Sequence, residues 1–351
     1  MQRLYLGTYH PLLTERRSLG QRMAFQPPAV PTAKIPPDNT ETVLAQPMCV
    51  MCFNACDPSG AGGLAADITT IASVGGHPVA VVTGVVVRDT SHVFSHTALD
   101  DELITDQART VLEDIPVRAI KVGFAGSPAN LAAIAELSSD YPDIPIVSYM
   151  PDLSWWQGDG LEEYLDAFQA LVMPQTSVLV GNHGTLSRWL LPDWSQSRPP
   201  SARDIAKAAE ALDVPFVLVT GIPLPEQHID NVLASTETVI GSSKFELFDG
   251  SFLGAGDTLS AALTALLAAG NDLGAAAQEA LEYLDRSLGS GFRPGMGQLI
   301  PDRMFWAQPE EGADATESGE DTAQTLPEIP SAEGNPPPLE GFVMPSHDTK
   351  H

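Results

Sequence analysis

Met48-Cys49-Val50-Met51-Cys52-Phe53-Asn54-Ala55-Cys56-Asp57-Pro58-Ser59-Gly60-Ala61-Gly62-Gly63 begins as a short apolar run and closes in a glycine-rich turn. It feeds into Leu64 to Ala72, which carries a helical apolar period and stops at Gly75-Gly76. An apolar run bounded by turn residues reads as a buried strand. Strand, glycine-rich turn and helix in succession is the layout of a βα unit that binds ligands beyond the carboxyl end of its strand. Cys49, Cys52 and Cys56 have no fourth Cys or His near them, so a closed zinc site is not expected. They read instead as small buried strand residues.

The alternation continues outward from this unit. His77 to Val87 is β-branched and strand-like, with Gly84 placed for a bulge. Leu99 to Leu112 reads as an amphipathic helix, Ala119 to Phe124 as a strand, Pro128 to Leu137 as a helix and Pro145 to Tyr149 as a strand. Leu161 to Leu171 is helical, Ser177 to Val180 strand-like, Ala202 to Leu212 helical and Phe216 to Thr220 strand-like. Strands alternating with helices over short turns imply a mainly parallel sheet covered by helices. Val232 to Phe252 breaks the rhythm with β-rich pieces and no helix between them, so antiparallel strands are expected there. Helices close the body after Gly254 and from Leu273 to Leu288.

The chain has 351 residues, 43% of them hydrophobic, and a formal net charge of −27. That charge argues against nucleic acid and anionic membrane as partners. No run approaches the roughly 18 apolar residues of a membrane span. Three clustered cysteines give no disulfide framework and fit a reducing cytoplasm. Residues 1–46 start basic, with Arg3, Arg16, Arg17 and Arg22, and continue into Pro27, Pro28, Pro31, Pro36 and Pro37. They are expected to form a disordered arm, or to stem from an over-extended start. Residues 308–351 are acidic and proline-rich and are expected to be a disordered tail. One folded domain over 47–307 remains.

A second glycine stretch, Gly254-Ala255-Gly256-Asp257-Thr258-Leu259-Ser260, runs into the Ala/Leu-rich segment Ala261 to Ala269. A small-residue turn at a helix start leaves backbone N–H groups free, and the helix dipole adds positive potential there. The arrangement suits a phosphoryl group whose charge grows during transfer, with Asp257 placed to accept a proton from an attacking hydroxyl. An Asp/Thr cap on a buried helix is the alternative reading of this stretch alone. Asp57 to Gly63, Asn182, Thr220 and Gly254 to Asp257 all follow strand-like segments, so convergence on one crevice is expected.

Asp57-Pro58-Ser59-Gly60-Ala61-Gly62-Gly63-Leu64-Ala65-Ala66-Asp67 resembles the N-terminal signature of the hydroxymethylpyrimidine/phosphomethylpyrimidine kinases of thiamin synthesis, which belong to the ribokinase-like superfamily. Gly254-Ala255-Gly256-Asp257-Thr258-Leu259-Ser260-Ala261-Ala262-Leu263 resembles the second signature. Between them, Ile120-Lys121-Val122-Gly123-Phe124, Gly158-Asp159 and Asn182 fall at about the family's spacing. The resemblance implies a ribokinase-like three-layer α/β/α fold with a mainly parallel central sheet. It also implies ATP- and Mg2+-dependent phosphorylation of a hydroxymethylpyrimidine and then of its monophosphate, with a homodimer common in the family. By the same resemblance Asp257 is the general base and Gly254, Ala255 and Gly256 form the anion hole. Asp57, Gly60, Arg88 and Phe124 line the substrate pocket, and Asn182 and Thr220 lie near the nucleotide phosphates.

The chain departs from the family at informative places. The base position is often cysteine in pyrimidine kinases, whereas Asp257 is the residue of the wider superfamily, which favours catalysis. The family's Asp-Pro-Val-Met acid aligns with Met150, with Asp152 as the expected substitute metal ligand, and the family's Asn-x-x-Glu reads Asn182-His183-Gly184-Thr185. Arg88 stands where the family has a pyrimidine-binding glutamine. An arginine only donates, so it suits a carboxylate or phosphate on the substrate. Two alternatives to the pyrimidine kinase therefore stay open. One is a pyridoxal/pyridoxine-kinase-like enzyme; the other is a degenerate, non-catalytic binder of a pyrimidine or nucleotide.

Overall fold

The computed structural model describes residues 47–157 and 160–308. The expected arm over 1–46, the Gly158-Asp159 pair and the tail from 309 onward lie outside these residues. In the first strand, β1 (Cys49–Cys56), side chains alternate between two buried faces. Val50 and Cys52 point to one face and Met51 and Phe53 to the other, all at most 1% exposed. A strand buried on both sides belongs in the middle of a helix-covered parallel sheet.

The other strands are β2 (His77–Arg88), β3 (Val93–Ala98), β4 (Val117–Val122), β5 (Ile146–Met150), β6 (Val178–Asn182), β7 (Phe216–Leu224), β8 (His228–Ala234) and β9 (Val239–Glu246). They form one nine-stranded sheet in the order β3-β2-β1-β4-β5-β6-β7-β8-β9. The six strands from β2 to β7 run parallel, while β3 at one edge and β8 and β9 at the other run antiparallel to their neighbours. The order reverses at β1, whose successor β2 lies on one side and β4 on the other. That makes the carboxyl end of β1 the topological switch point where open α/β sheets bind ligands.

The helices are α1 (Gly63–Ser73), α2 (Asp101–Leu112), α3 (Pro128–Ser139), α4 (Leu161–Ala167), α5 (His183–Leu190), α6 (Ala202–Glu210), α7 (Ala255–Ala268) and α8 (Leu273–Gly289). One sheet face carries α2 to α6, where Ile104, Leu131, Tyr164, Leu186 and Ile205 pack on Met51, Phe53, Leu179 and Val217. The opposite face carries α1, α7 and α8. There Leu64 and Ala261 meet Val50 and Cys52, and Leu263 and Leu281 meet Val180 and Leu218. The result is the expected three-layer α/β/α arrangement. Among the described residues no helix is long and apolar enough to cross a membrane.

Three elements depart from the sequence expectation. β3 departs from the expectation because Val93-Phe94-Ser95-His96-Thr97-Ala98 mixes apolar and polar residues without a clear period and becomes a strand by pairing with β2. The short α5 was also missed; Asn182 starts it by accepting from the Gly184 N–H at 2.9 Å, and eight residues are too few to show a period. Leu161 to Leu171 is not one regular helix: α4 gives way at Phe168–Val172 to a wider π turn. Of the three cysteines expected as small buried strand residues, one is fully buried. Cys52 is buried, Cys49 is half-buried and Cys56, the last residue of β1, is exposed where the strand leaves the sheet. At Gly84 the β1–β2 register slips, Asn54 facing Val82 and Ala55 facing Gly84.

Candidate active site

Two glycine turns meet at the switch point. Asp57 ties the first, its carboxylate accepting from the Ser59 N–H at 2.8 Å, the Ser59 hydroxyl at 2.6 Å and the Gly62 N–H at 3.1 Å. Gly63, with φ +60°, starts α1, and a Cβ there would stand 2.2 Å from the Ala55 carbonyl oxygen. Gly254, with φ +74°, caps α7, and a Cβ there would stand 1.6 Å from the Ala61 carbonyl oxygen. The two turns therefore touch backbone to backbone, which only glycine permits. Arg303, buried near the end of the described chain, fastens them together. Its guanidinium donates to Thr258 Oγ1 at 2.9 Å, to the Gly60 carbonyl at 3.2 Å and to the Ala61 carbonyl.

Asp257 sits in the first turn of α7 with its side chain 15% exposed. Its Oδ2 accepts from the Gly63 N–H at 3.0 Å. Its Oδ1 accepts from Lys121 Nζ at 2.8 Å and from Asn54 Nδ2 at 2.9 Å. The same ammonium and the same amide reach a second carboxylate, Asp67 of α1: Lys121 donates to Oδ1 and Asn54 donates to Oδ2 at 2.9 Å. Asn54 completes its bonding by accepting from the Ala55 and Phe124 N–H groups, both at 3.0 Å. Lys121 and Asp67 are completely buried.

Burial alone would raise the Asp257 carboxyl, but Lys121 holds it below the usual carboxylate range, helped by hydrogen bonds from Gly63 and Asn54. Burial dominates at Asp67 and, with the Asp257 charge, pushes it up to about 6 against the pull of Lys121. For Lys121 itself burial works downward, yet the two carboxylates outweigh it and the ammonium stays charged well above its ordinary range. Burial also raises the phenol of Tyr149, which therefore remains a donor at the wall of the site.

A cavity of about 600 Å³ opens in front of Asp257. Asp57, Gly62, Gly63, Arg88, Phe124, Gly254 and Asp257 line it, so most of the expected substrate and catalytic residues do come together. Arg88 is not free: its Nη1 lies 3.6 Å from Asp57 Oδ2, so a carboxylate within the chain already pairs with it. Phe124 belongs to an aromatic wall with His96, Trp155 and Trp156, at ring-centroid distances of 5.2, 5.7 and 5.9 Å. Gly60 does not line the cavity; it turns its carbonyl to Arg303. Ala255 and Gly256 lie between Gly254 and Asp257 without facing it. Asn182, the last residue of β6, pairs in register with Thr220 within β7, and both lie outside the lining.

Met150 and Thr185, the positions where the resembled family carries acids, line an adjacent cleft of about 700 Å³ together with Asp152, Glu162, Asp166 and Arg188. Asp152 borders both spaces and lies 3.5 Å from Arg188. Among the described residues no group of three His, Cys, Asp or Glu could hold a metal ion. Magnesium keeps several waters and is bound by one or two carboxylates plus phosphate oxygens. One exposed carboxylate fits an ion brought in on a nucleotide and does not fit a resident one. Lys121, Asp67, Asn54, Tyr149 and Arg303 had no role assigned from sequence. Lys121 carried one legible sign, a charge between Ile120 and Val122 inside an apolar strand; Arg303 carried none.

The family model described as phosphomethylpyrimidine kinase matches residues 57–302. The hydroxymethylpyrimidine/phosphomethylpyrimidine kinase of Mycobacterium leprae is 28% identical over 236 residues, covering 64% of this chain and 82% of that protein. That of Streptomyces coelicolor is 26% identical over 264 residues, covering 74% and 96%. Among solved structures, the ADP complex of Bacillus subtilis pyridoxal kinase superposes with a TM-score of 0.67 at 22% identity, over 75% of this chain and all of that one. Phosphomethylpyrimidine kinase from Clostridium difficile superposes at 0.57 and 22%, over 69% and 99%. These two likenesses carry the ribokinase-like fold, whereas the family match spans both glycine turns, the Lys121 strand and nearly to Arg303. The chain therefore belongs to the phosphomethylpyrimidine kinase family.

Proposed function

We propose that this protein phosphorylates 4-amino-5-hydroxymethyl-2-methylpyrimidine, and then its monophosphate, with ATP in thiamin diphosphate biosynthesis. The observation that carries the reading is Asp257 at the start of α7, lining one cavity with both glycine turns. A substrate hydroxyl gives its proton to Asp257 as its oxygen bonds the γ-phosphorus, and the bridging oxygen leaves with its electron pair on ADP. Free backbone N–H groups at the start of α7 are the proposed donors to the charge that develops, Gly254 and Asp257 being the residues of that turn that line the cavity. Asp57, Arg88 and the Phe124 wall hold the ring.

Asn182 and Thr220, side by side on β6 and β7, are the groups proposed near the nucleotide phosphates. Magnesium would arrive on those phosphates and neutralise their charge, with Asp152 as the carboxylate to hold it. A cytoplasmic location and a homodimer belong to the same proposal.

The test is an ADP-release assay on the full chain with ATP and magnesium, offering the pyrimidine alcohol, its monophosphate and pyridoxal in parallel. Turnover of both pyrimidines is expected. Turnover of pyridoxal alone would transfer the assignment to a pyridoxal kinase, with Arg88 as the specificity residue. Ligand binding without turnover of any of the three would make the protein a binder.

A further inference from the structure

We propose that Asp67, buried behind the site and remote from any substrate, is a positioning residue that keeps Asp257 basic by offsetting the charge of Lys121. The inference rests on the kinase reading and extends it to a residue that touches neither substrate nor phosphate. Lys121 is the tie that fixes Asp257 against the floor of the cavity, but alone it would make a poor base. A lysine–aspartate pair is neutral, and adding a proton to the aspartate would leave an uncompensated positive charge in a buried site, which is costly. Asp67 changes that count. With two carboxylates on one ammonium, the cluster carries one net negative charge before the reaction and none after Asp257 takes the hydroxyl proton.

The geometry is built for this. Lys121 and Asn54 each bridge the two carboxylates, and both direct their bonds at Oδ1 of Asp257. Oδ2 holds a single hydrogen bond, from the Gly63 N–H, and is the oxygen left to accept a proton. The groups facing Asp67 from the elements around it are few. Lys121 comes from β4 and Asp257 from α7. The Cys52 thiol of β1 is pushed up by burial and neutral, and the Tyr149 phenol of β5 is likewise neutral. Arg303, held among backbone carbonyls, adds a positive field to both carboxylates.

Two linked measurements test the assignment. In Asp67→Asn, kcat should fall roughly 10- to 100-fold while KM for both substrates stays within about two-fold, because only proton acceptance is impaired. Asp67→Asn/Lys121→Gln restores the single negative charge on the cluster and should recover at least about five-fold of kcat over Asp67→Asn. A purely structural Asp67 would make that double variant worse than the single one, and such a result overturns the proposal.

The wild-type pH profile supplies a reading independent of the variants' folding. Protonating Asp67 produces the same charge count as Asp67→Asn, so kcat should drop as pH falls through about 6, the range to which burial raises that carboxyl. The two carboxylates titrate as a coupled pair, so carboxyl-13C NMR of the aspartates should show two linked steps. A flat kcat between pH 5 and 8, or an Asp257 that titrates alone, would also overturn it. Failure of the wild type to turn over any offered substrate would instead strike the kinase reading, and the NMR titration would still report on the pair.

Discussion

At Asp257 several requirements meet on one carboxylate. It must be near substrate, ionised, and held in place, and burial opposes the second of these. Lys121, Asn54 and the Gly63 N–H reverse the burial effect and keep it charged. Asp257→Asn removes the proton acceptor yet leaves Lys121 balanced by Asp67, so the fold should persist. Turnover is expected to fall by about 10²- to 10⁴-fold with nucleotide affinity within about two-fold. Calorimetric titration beside the rate assay separates the two, and unchanged kcat would remove Asp257 from the chemistry. The place of Asp257 at the cavity was readable in the sequence because its turn is a local motif. Its control by Asp67 and Lys121 was not, since those groups come from α1 and β4, separated by 190 and 136 positions from it; the cluster exists only once the strands pair.

Among elements, the sheet edge formed by β2 and β3 presents apolar side chains to solvent. Val85, Val87 and Phe94 there are 43%, 54% and 67% exposed. The hairpin is tied to the cavity, because Ser91, His92 and Val93 line it and Thr90 accepts from the Gln298 N–H at 2.9 Å through its carbonyl. If the proposed homodimer forms, this apolar edge is the surface a second copy would cover. Light scattering should then give a dimer for the wild type and a monomer for Phe94→Asp. A dimer that survives the substitution places the contact elsewhere. β3 shows why edges are hard to read: its mix of apolar and polar residues is ordinary for a loop, and only its partner strand makes it an element.

At the scale of the described domain, Arg303 links its last described segment to both glycine turns. Its guanidinium is buried among carbonyls, which lowers its pKa through burial. Arg303→Met would leave the Gly60 and Ala61 carbonyls and the Thr258 hydroxyl without this donor. The cost should be about 3 kcal/mol, or roughly 6–12 °C in Tm for a domain of this size. A thermal melt within about 1 °C of wild type would show that the turns hold each other unaided.

Periodicity and turn chemistry are local properties, and they were enough to determine the parallel sheet, the two glycine turns and the strand–helix order of this chain apart from β3 and α5. Asp57, Gly254 and Asp257 were legible for the same reason, each lying in a short motif whose backbone geometry demands those residue types. The burial of Lys121, the sharing of one ammonium by Asp67 and Asp257, the pairing of Arg88 with Asp57 and the clasp of Arg303 were decided only in the tertiary structure. Each of these is an electrostatic contact between residues far apart in the chain, and its strength depends on burial and distance, which no stretch of sequence contains.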